Sequence, residues 1–395
     1  MKKLVFSLAL LSLVFTSCTS SDSDVVTTPP TATGEITGDI TAAKTYTKGV
    51  YTIKGTVRVK SDATLTFEAG SVITADVADG ADALLVEKGG KLNISGTAAE
   101  PVVFTEKSKT AGSWGGIIMF GDAPIVSGKT ADGTPITTAT SEDGTNIVYG
   151  GTNAAHNGGS LKYVRVEYAG KKILDGNSEM NGFSFYSVGS GTVLENLVSY
   201  KGADDGFEFY GGTVSAKNLI SYGNTDDSFD WQDGWQGQAN TNWYAYQTGA
   251  GNFGMEIEAK SVNNAFFPKV SNITLRRAAG TVTEAGNPLE IDAIQFKKEG
   301  NGEYTNVVIS GYTSANATSV RIQDAATNTN QVLTGKIKML NVKIADNTTL
   351  WGAGATTFTV AFPTANYTAS TTASGAVLTP GAWAIVDGVN LLGNL

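Results

Sequence analysis

Seven carboxylates stand at repeating positions in the middle of the chain: Asp204, Asp205, Glu208, Asp226, Asp227, Asp230 and Glu256. The first three recur after 22 residues (226 − 204). Repeats stacked at the spacing of neighbouring strands, about 4.8 Å, bring carboxylates close enough to raise each other's pKa or to bind a cation. Because all the ligand atoms are oxygens, the pattern predicts a Ca²⁺ site, and Ca²⁺ is the one cofactor predicted. The alternative is a solvated row of turn residues.

Aromatic residues beside these carboxylates form a second candidate site. The predicted ligand-binding residues are Tyr200, Tyr222, Trp235, Trp243 and Tyr244. Tyr200 and Tyr222 recur at the same 22-residue spacing (222 − 200) and are expected to point outward. Trp235 and Trp243 fall in a segment predicted to be a loop. Aromatic rings stack on the C–H faces of sugars, so the cluster predicts a glycan site, with packing in the interior as the alternative.

Two short strand patterns must position these side chains. In the first pattern an asparagine precedes Leu, Ile or Val, and these asparagines are Asn196, Asn218, Asn272, Asn306 and Asn341. Stacked in register, they form a ladder that exchanges amide hydrogen bonds, beside a ladder of aliphatic interior residues. A period of about 22 residues with two short strands per copy is typical of the coils of a β-solenoid.

The second pattern is a triplet of apolar, polar and apolar residues. Such triplets begin at Phe183, Phe207, Phe229, Met255, Ile294 and Val320. Strand alternation places the first and third residues inside and the middle residue outside. The predicted outer ladder is Ser184, Glu208, Asp230, Glu256, Gln295 and Arg321.

The N-terminal segment predicts export and lipidation. Residues 1–17 combine two lysines with a short apolar run, which is typical of a signal peptide and too short for a membrane anchor. The only cysteine, Cys18, ends a Phe-Thr-Ser-Cys run that resembles a lipobox, so it is the predicted lipidation site. Ordinary signal cleavage is the alternative. Residues 18–44 are predicted to be the lipidated cysteine and a flexible tether rich in Ser, Thr and Pro.

The expected location and partners follow from this segment and from charge. Asp22 and Asp24 resemble the export signal of surface-exposed lipoproteins in some Gram-negative bacteria. The protein is therefore expected in the outer membrane, anchored through lipid at Cys18 and facing outward, with a periplasmic orientation as the alternative. The formal net charge of −9 excludes nucleic acid as an expected partner.

The remaining chain is predicted to be one solenoid with insertions. The coils occupy residues 45–350, and the segments 122–160, 232–253 and 278–288 interrupt their rhythm as loops. The only histidine, His156, lies in the first of these segments and is expected to be exposed to solvent. Residues 351–395 are predicted to form capping strands that protect the edge of the last coil.

Part of the sequence also resembles a known family. The runs LTFEAGSVITAD, LLVEKGGKLNISGTAAEPVVFTEK and GSWGGIIMFGDAPI resemble right-handed parallel β-helix proteins of the pectate-lyase-like superfamily in the broad sense, and bacterial surface lipoproteins among them. The resemblance covers residues 45–350. It implies an all-β fold, a single-stranded right-handed parallel β-helix (β-solenoid) with loop insertions and a C-terminal β cap. This fold hosts lyases, hydrolases and adhesins, so the function must be argued from the site.

Three functions are weighed on these residues. The preferred hypothesis is a surface lipoprotein that binds an extracellular ligand, a glycan, without catalysis. The first alternative is a polysaccharide lyase or glycoside hydrolase acting on acidic polysaccharide, and the second is a structural or adhesive stalk. Similarity to polygalacturonase-like hydrolases is incomplete, because Asn224-Thr225-Asp226 follows the pair Asp204-Asp205 and Gly-His-Gly is absent. No catalytic residue is therefore predicted.

Overall fold

Each 22-residue repeat forms one coil of a right-handed parallel β-helix. Parallel pairing in register aligns Leu197 with Leu219 and Phe207 with Phe229. The structure, a computed structural model, describes residues 32–395 except 79, 81, 172–179, 262–265 and 347–348. The predicted fold class is confirmed, whereas the predicted signal peptide and Cys18 lie outside the described residues.

Twenty-four of the described strands form one continuous sheet that winds around the core. The first coils contain β1 Ala32–Ile40, β2 Lys44–Tyr46, β3 Gly49–Val59, β4 Thr64–Glu68, β5 Val72–Ala75, β6 Ala83–Val86, β7 Lys91–Ser95, β8 Val102–Glu106 and β9 Ile117–Phe120. The tether predicted to reach residue 44 ends earlier, because β1 already pairs with β3 and buries Ile36. Its other side chains are mostly exposed, so β1 has no apolar alternation from which to predict it.

Each later coil contains one long strand with a corner in its middle. These strands are β14 Gly159–Glu167, β16 Val193–Tyr200, β18 Ala216–Tyr222, β20 Asn240–Gln247, β22 Lys269–Arg277, β24 Gly302–Ser310 and β26 Ile337–Ile344. Their first halves form one face of the solenoid and their second halves form the second face. The strands of the third face are β15 Phe183–Tyr186, β17 Phe207–Tyr210, β19 Phe229–Gln232, β21 Met255–Glu258, β23 Ile294–Lys297, β25 Thr318–Ile322 and β27 Thr349–Ala353.

An asparagine ladder makes the corner between the first and second faces. Nδ2 of Asn218 donates to Oδ1 of Asn196 at 2.9 Å, and Nδ2 of Asn306 donates to Oδ1 of Asn272 at 2.7 Å. The corner asparagines from Asn196 to Asn341 have φ between 56° and 60°, a left-handed conformation that Asn adopts at lower cost than most residues. The predicted ladder is confirmed. Asparagine recurs at this position because the corner requires a left-handed backbone conformation.

The predicted triplets are also confirmed, since pairing on the third face aligns all six of them. Their inward side chains stack along the solenoid axis. The rings of Phe183 and Phe207 have centroids 5.0 Å apart and are inclined by 3°. This offset stacking fills the core while the middle residues of the triplets line the outside.

The segment 232–253 is not the loop that the sequence predicts. It contains β20, which aligns Trp243 with Leu219 and Ile273 on the neighbouring coils. Trp243 is completely buried. Asn242-Trp243 repeats the asparagine–apolar pattern of the corner, with a tryptophan where the other coils have an aliphatic residue. The larger ring conceals the repeat from a search for Leu, Ile or Val.

The insertion 122–160 folds against the solenoid as two small hairpins. Its strands are β10 Gly128–Lys129, β11 Pro135–Ile136, β12 Ala139–Thr140 and β13 Val148–Tyr149. The prediction that His156 is exposed is wrong, because only 6% of its surface is accessible. A Cβ at Gly121 would lie 2.8 Å from its Nδ1, so the imidazole fills a slot that glycine leaves open. Burial lowers the pKa of His156 and favours its neutral form.

The C-terminal residues cover both the last coil and the second face. β27 and β28 Tyr367–Ala369 pair with the final strands, and residues 370–395, the C-terminal strap, run back across the second face. The backbone N–H of Ala376 donates to Oγ1 of Thr274 at 2.9 Å, and that of Trp383 donates to the carbonyl of Ala98 at 3.1 Å. The cap is thus broader than the predicted protection of one edge.

Short helices and one hairpin complete the described chain. They are the α-helical turn Ala325–Thr327, the π-helical turn Asn328–Val332, the 3-10 turns Thr364–Asn366, Ala382–Ala384 and Leu391–Asn394, and the strands β29 Ile385–Val386 and β30 Val389–Asn390. Among the described residues, no helix has both the length and the apolar character to cross a bilayer.

Candidate metal centre

The carboxylate row lies where the second face turns into the third. Asp204-Asp205 and Asp226-Asp227 occupy the turns before β17 and β19, and the middle residues of the triplets continue the row along the third face. All seven predicted carboxylates therefore lie in one region. Asp204, Asp205, Glu208 and Asp227 are buried, so the alternative of a fully solvated row is wrong.

Three overlapping trios of carboxylates lie along the row, and the ligand oxygens of each trio are within 4.8 Å of one another. The trios are Asp204 with Asp205 and Asp226, Asp205 with Glu208 and Asp230, and Asp227 with Asp230 and Glu256. Oxygens on opposite sides of a Ca²⁺, each at about 2.3–2.6 Å, are separated by about 5 Å. Each trio therefore has the dimensions and the donor chemistry of a Ca²⁺ site.

Five of the seven carboxylates, Asp204, Asp205, Glu208, Asp226 and Asp230, line a cleft of about 270 Å³. Within the described ranges, no lysine or arginine forms an ion pair with Asp205, Asp226 or Asp227. Oδ1 of Asp230 is buried and accepts no hydrogen bond from any described residue. Buried carboxylates without cationic partners are costly, so the cleft is suited to a bound cation.

Several carboxylates of the metal-free row bind protons more tightly than free carboxyl groups do. Burial, followed by repulsion from neighbouring carboxylates, raises the pKa of Asp205, Asp227 and Asp230 well above the ordinary value. Burial raises the pKa of Glu208 to about 8, with Glu142 as the next cause. It also raises the pKa of Asp226 to about 7. A bound divalent cation replaces these protons with fixed positive charge.

Glu208 is held by neutral donors from three elements. Its Oε2 accepts from Nδ2 of Asn181 at 2.7 Å, and its Oε1 accepts from Nε2 of Gln232 at 2.9 Å. The hydroxyl of Tyr210 contacts both Glu208 and, at 2.7 Å, Oε1 of Glu142. Since Glu142 belongs to the insertion 122–160, this contact brings the insertion to the edge of the cleft.

Three lysines also line the cleft and surround one buried carboxylate. Nζ of Lys260 and Nζ of Lys298 each lie 2.8 Å from Glu258, and Nζ of Lys297 lies 3.7 Å from it. Lys297 also forms an ion pair with Glu256. The cleft therefore presents ammonium groups beside the carboxylate row.

Sequence analysis missed these lysines together with Tyr210, Gln232 and Glu258. Strand alternation could have located four of the cleft residues, because each lies two residues after a member of the outer ladder. Tyr210 follows Glu208, Gln232 follows Asp230, Glu258 follows Glu256 and Lys297 follows Gln295. No sequence pattern could locate Glu142, because it lies 66 residues before Glu208 (208 − 142) and reaches the cleft only through the folding of its insertion.

The predicted aromatic ligand site does not form. Trp235, Trp243 and Tyr244 are at most 1% exposed, so their rings are unavailable to a sugar. Trp235 and Trp243 stack with Phe209 in the solenoid core. Tyr200 and Tyr222, together with Tyr244, point outward from the second face as expected for the repeated pair, but the C-terminal strap covers them. The alternative of packing in the interior is therefore correct for the two tryptophans. The tyrosines are buried because the C-terminal strap covers them.

The fold and the row together define a class, a right-handed parallel β-helix with an acidic cleft on its third face. The chain belongs to the family described as pectate-lyase like β-helix domain, whose model matches residues 34–385. The resemblance expected from the sequence is thus confirmed. The chain has no significant match to a curated protein or to a solved structure.

Proposed function

We propose that this protein is a lipid-anchored surface protein that binds an acidic glycan through Ca²⁺ and does not cleave it. The observation that carries the proposal is the acidic cleft, in which overlapping carboxylate trios lie beside three lysines. The family alone does not decide between binding and catalysis, because function depends on the site.

The donor set supports Ca²⁺ as the cation. Every candidate ligand is a carboxylate oxygen, which suits a hard cation, and the described part of the row has no thiol or imidazole ligand. The unpartnered Oδ1 of Asp230 supplies an independent reason for a bound cation. Asp205 and Asp230, each shared by two trios, are the residues expected to hold it most directly.

An anionic sugar complements both kinds of charged group in the cleft. A carboxylate or sulfate group on the glycan would coordinate a Ca²⁺ held by the carboxylates and pair with Lys260 or Lys298. Such charge-assisted contacts replace the aromatic stacking that the sequence predicted, since those rings are buried. The ligand class is therefore an anionic polysaccharide.

The test measures Ca²⁺ and glycan binding separately. The purified protein is titrated calorimetrically with CaCl₂, and its retention on immobilised polyuronate is measured in Ca²⁺ and in EDTA. Asp226→Asn combined with Asp230→Asn abolishes both signals. Asp39→Asn, which removes an exposed charge on the first coil, leaves them unchanged. Absence of Ca²⁺ binding, or glycan retention unaffected by EDTA, contradicts the proposal, and no binding at all favours the stalk.

Lipid anchoring at Cys18 is the second part of the proposal. It is supported by the position of the only cysteine at the end of the predicted signal peptide. Cys18→Ala is expected to move the protein from the membrane fraction to the soluble fraction. Digestion by a protease added to intact cells tests the outward orientation, and complete protection contradicts it.

Hydrolysis is the alternative function that one observation favours. Burial raises the pKa of Glu208 to about 8, so its neutral carboxyl is available at pH 7 to protonate a leaving group. Elimination is less favoured, because Glu256 and Asp230 outweigh burial and raise the pKa of Lys297, which makes it a poor base. Release of reducing ends from acidic polysaccharides, abolished by Glu208→Gln, would establish hydrolysis.

A further inference from the structure

A second cleft adjoins the acidic one along the third face. It has a volume of about 670 Å³, shares Lys297 with the acidic cleft and is also lined by Glu256 of the carboxylate row. Its floor is formed by the outer ladder on β23 and β25, and one wall is the segment 286–292. From Asp230 to Arg321 the ladder advances three coils, or about 14 Å at the strand spacing. One extended ligand can therefore contact both clefts.

Most charged groups of the second cleft are paired with one another. The exception is Glu290, which forms no ion pair with a described residue and would repel an anionic ligand group. Nε of Arg321 lies 2.8 Å from Oδ2 of Asp292, and its Nη2 lies 3.1 Å from Oδ1. The remaining guanidinium contacts are to the carbonyls of Asn316 and Ala353 at 2.9 and 3.1 Å. Lys297 is paired with Glu256. A charged ligand group would have to break one of these pairs, which is costly in a partly buried site.

Apart from Glu290, the groups left to contact a ligand are carboxamides and apolar carbons. Gln295 and Gln323 line the cleft, and the contact between Nε2 of Gln295 and Oε1 of Gln323 is long, at 3.4 Å. These amides can donate to and accept from hydroxyl groups. Pro288 and Leu289 form the rim, and 81% of the Leu289 surface is exposed. Amides beside apolar carbons match the hydroxyls and C–H faces of an uncharged sugar.

We infer that the second cleft binds a neutral sugar, so that the ligand is a heteroglycan that contains both anionic and neutral sugars. This inference rests on the proposed function, because the anionic sugar occupies the acidic cleft. It differs from the simplest expectation of a homopolymeric polyuronate, whose second charged unit would meet the closed Arg321–Asp292 pair.

The experiment compares three oligosaccharides of equal length by calorimetry on the Ca²⁺-loaded protein: an oligouronate, an alternating uronate–hexose oligomer and a neutral oligohexose. The alternating oligomer is expected to bind at least about ten-fold more tightly than the oligouronate, the gain from one or two neutral hydrogen bonds. The neutral oligomer is expected to bind most weakly.

Variants assign the effect to the second cleft. Gln295→Ala and Gln323→Ala are each expected to weaken binding of the alternating oligomer several-fold while leaving Ca²⁺ affinity and oligouronate affinity unchanged. Gln323 is exposed, so its substitution tests the cleft without risk to folding, and Gln238→Ala on another face is the matched control. Equal affinity for oligouronate and alternating oligomer, or unaltered binding by the Gln323 variant, overturns this inference. Only loss of Ca²⁺-dependent binding to every anionic oligomer overturns the proposed function.

Discussion

The backbone N–H of Asp227 donates to Oδ1 of Asp205 on the preceding coil at 2.8 Å. Asp227 repeats this arrangement, since its own Oδ1 accepts from the backbone N–H of Phe253 at 2.6 Å. The carboxylates that line the candidate metal centre therefore also link consecutive coils. Their acceptor oxygens stabilise the turns, whereas their charges repel one another in a buried environment.

Substitutions at Asp227 separate the acceptor from the charge. Asp227→Asn keeps an oxygen for the N–H of Phe253 and removes the charge, so the metal-free protein is expected to gain about 1 kcal/mol in free energy of unfolding. Asp227→Ala removes the acceptor and is expected to lose about 1–3 kcal/mol. Urea denaturation in EDTA measures both. Equal effects of the two substitutions would contradict the dual role.

The stability of the metal-free protein is expected to fall as the pH rises from 6.5 to 9. Burial raises the pKa of Glu208 from 4.5 to about 8 and that of Asp226 from 3.8 to about 7. A carboxyl whose pKa is raised on folding contributes stability at low pH that is lost as the pH rises through the folded value. The expected loss is on the order of 2 kcal/mol in free energy of unfolding.

Two further measurements make this pH dependence specific. Saturating Ca²⁺ is expected to reverse its direction, because the cation binds the deprotonated carboxylates and competes with protons. Glu208→Gln is expected to flatten the profile in EDTA. The chosen range begins at the ordinary pKa of His156, 6.5, so the opposite effect of its lowered pKa falls mainly at more acid pH. A flat profile for the unmodified protein would contradict the raised pKa values of Glu208 and Asp226.

Sequence periodicity predicted most of the fold because each coil repeats the same local constraints. The position of Asn218 is recognisable because the corner requires a left-handed backbone conformation. The position of Phe229 is recognisable because the core requires an apolar residue at every second position of the strand. The seven carboxylates follow from the same register. Alternation distinguishes the inside of the solenoid wall from its outside, which is sufficient to place Glu208 and Asp230 in one row.

Alternation cannot show what covers the outside of the wall. Tyr200 and Tyr222 point outward, but the strap that buries them is more than 140 residues away in sequence (370 − 222). In the same way, Glu142 approaches Tyr210 only because an insertion folds back. Long-range coverage depends on tertiary packing that no local pattern encodes, so the exposure of outward residues was the least predictable feature.

Trp243→Ala is expected to destabilise the protein by about 3–5 kcal/mol, because it leaves a cavity among Phe209, Phe229 and Trp231. Guanidinium denaturation measures the loss. Val148→Ala, at a side chain that is 63% exposed, serves as the control and is expected to change stability by less than about 0.5 kcal/mol. Normal stability with loss of glycan binding would instead restore Trp243 as a ligand residue.

The corner ladder predicts a ranking of substitutions at Asn218. Asn218→Ala and Asn218→Gly both remove the hydrogen bonds to Asn196 and from Asn242. At the φ of 59°, alanine is in addition strained by about 1–2 kcal/mol. Asn218→Gly tolerates the left-handed backbone and loses only the hydrogen bonds. The expected order of melting temperatures is the natural protein, then the glycine variant, then the alanine variant. A more stable alanine variant would rule out backbone strain as the reason for asparagine.

The C-terminal strap is expected to stabilise the second face. Trp383 is 1% exposed, packs edge-on against Tyr163 and donates from Nε1 to the carbonyl of Thr379 at 3.0 Å. Trp383→Ala is therefore expected to cost about 3–5 kcal/mol, whereas Ile385→Ala, at a side chain that is 46% exposed, costs much less. Deleting residues 370–395 is expected to uncover Tyr200 and Tyr222, which increases binding of an apolar dye and lowers the melting temperature. Unchanged dye binding after the deletion would mean that the strap is not what covers these tyrosines.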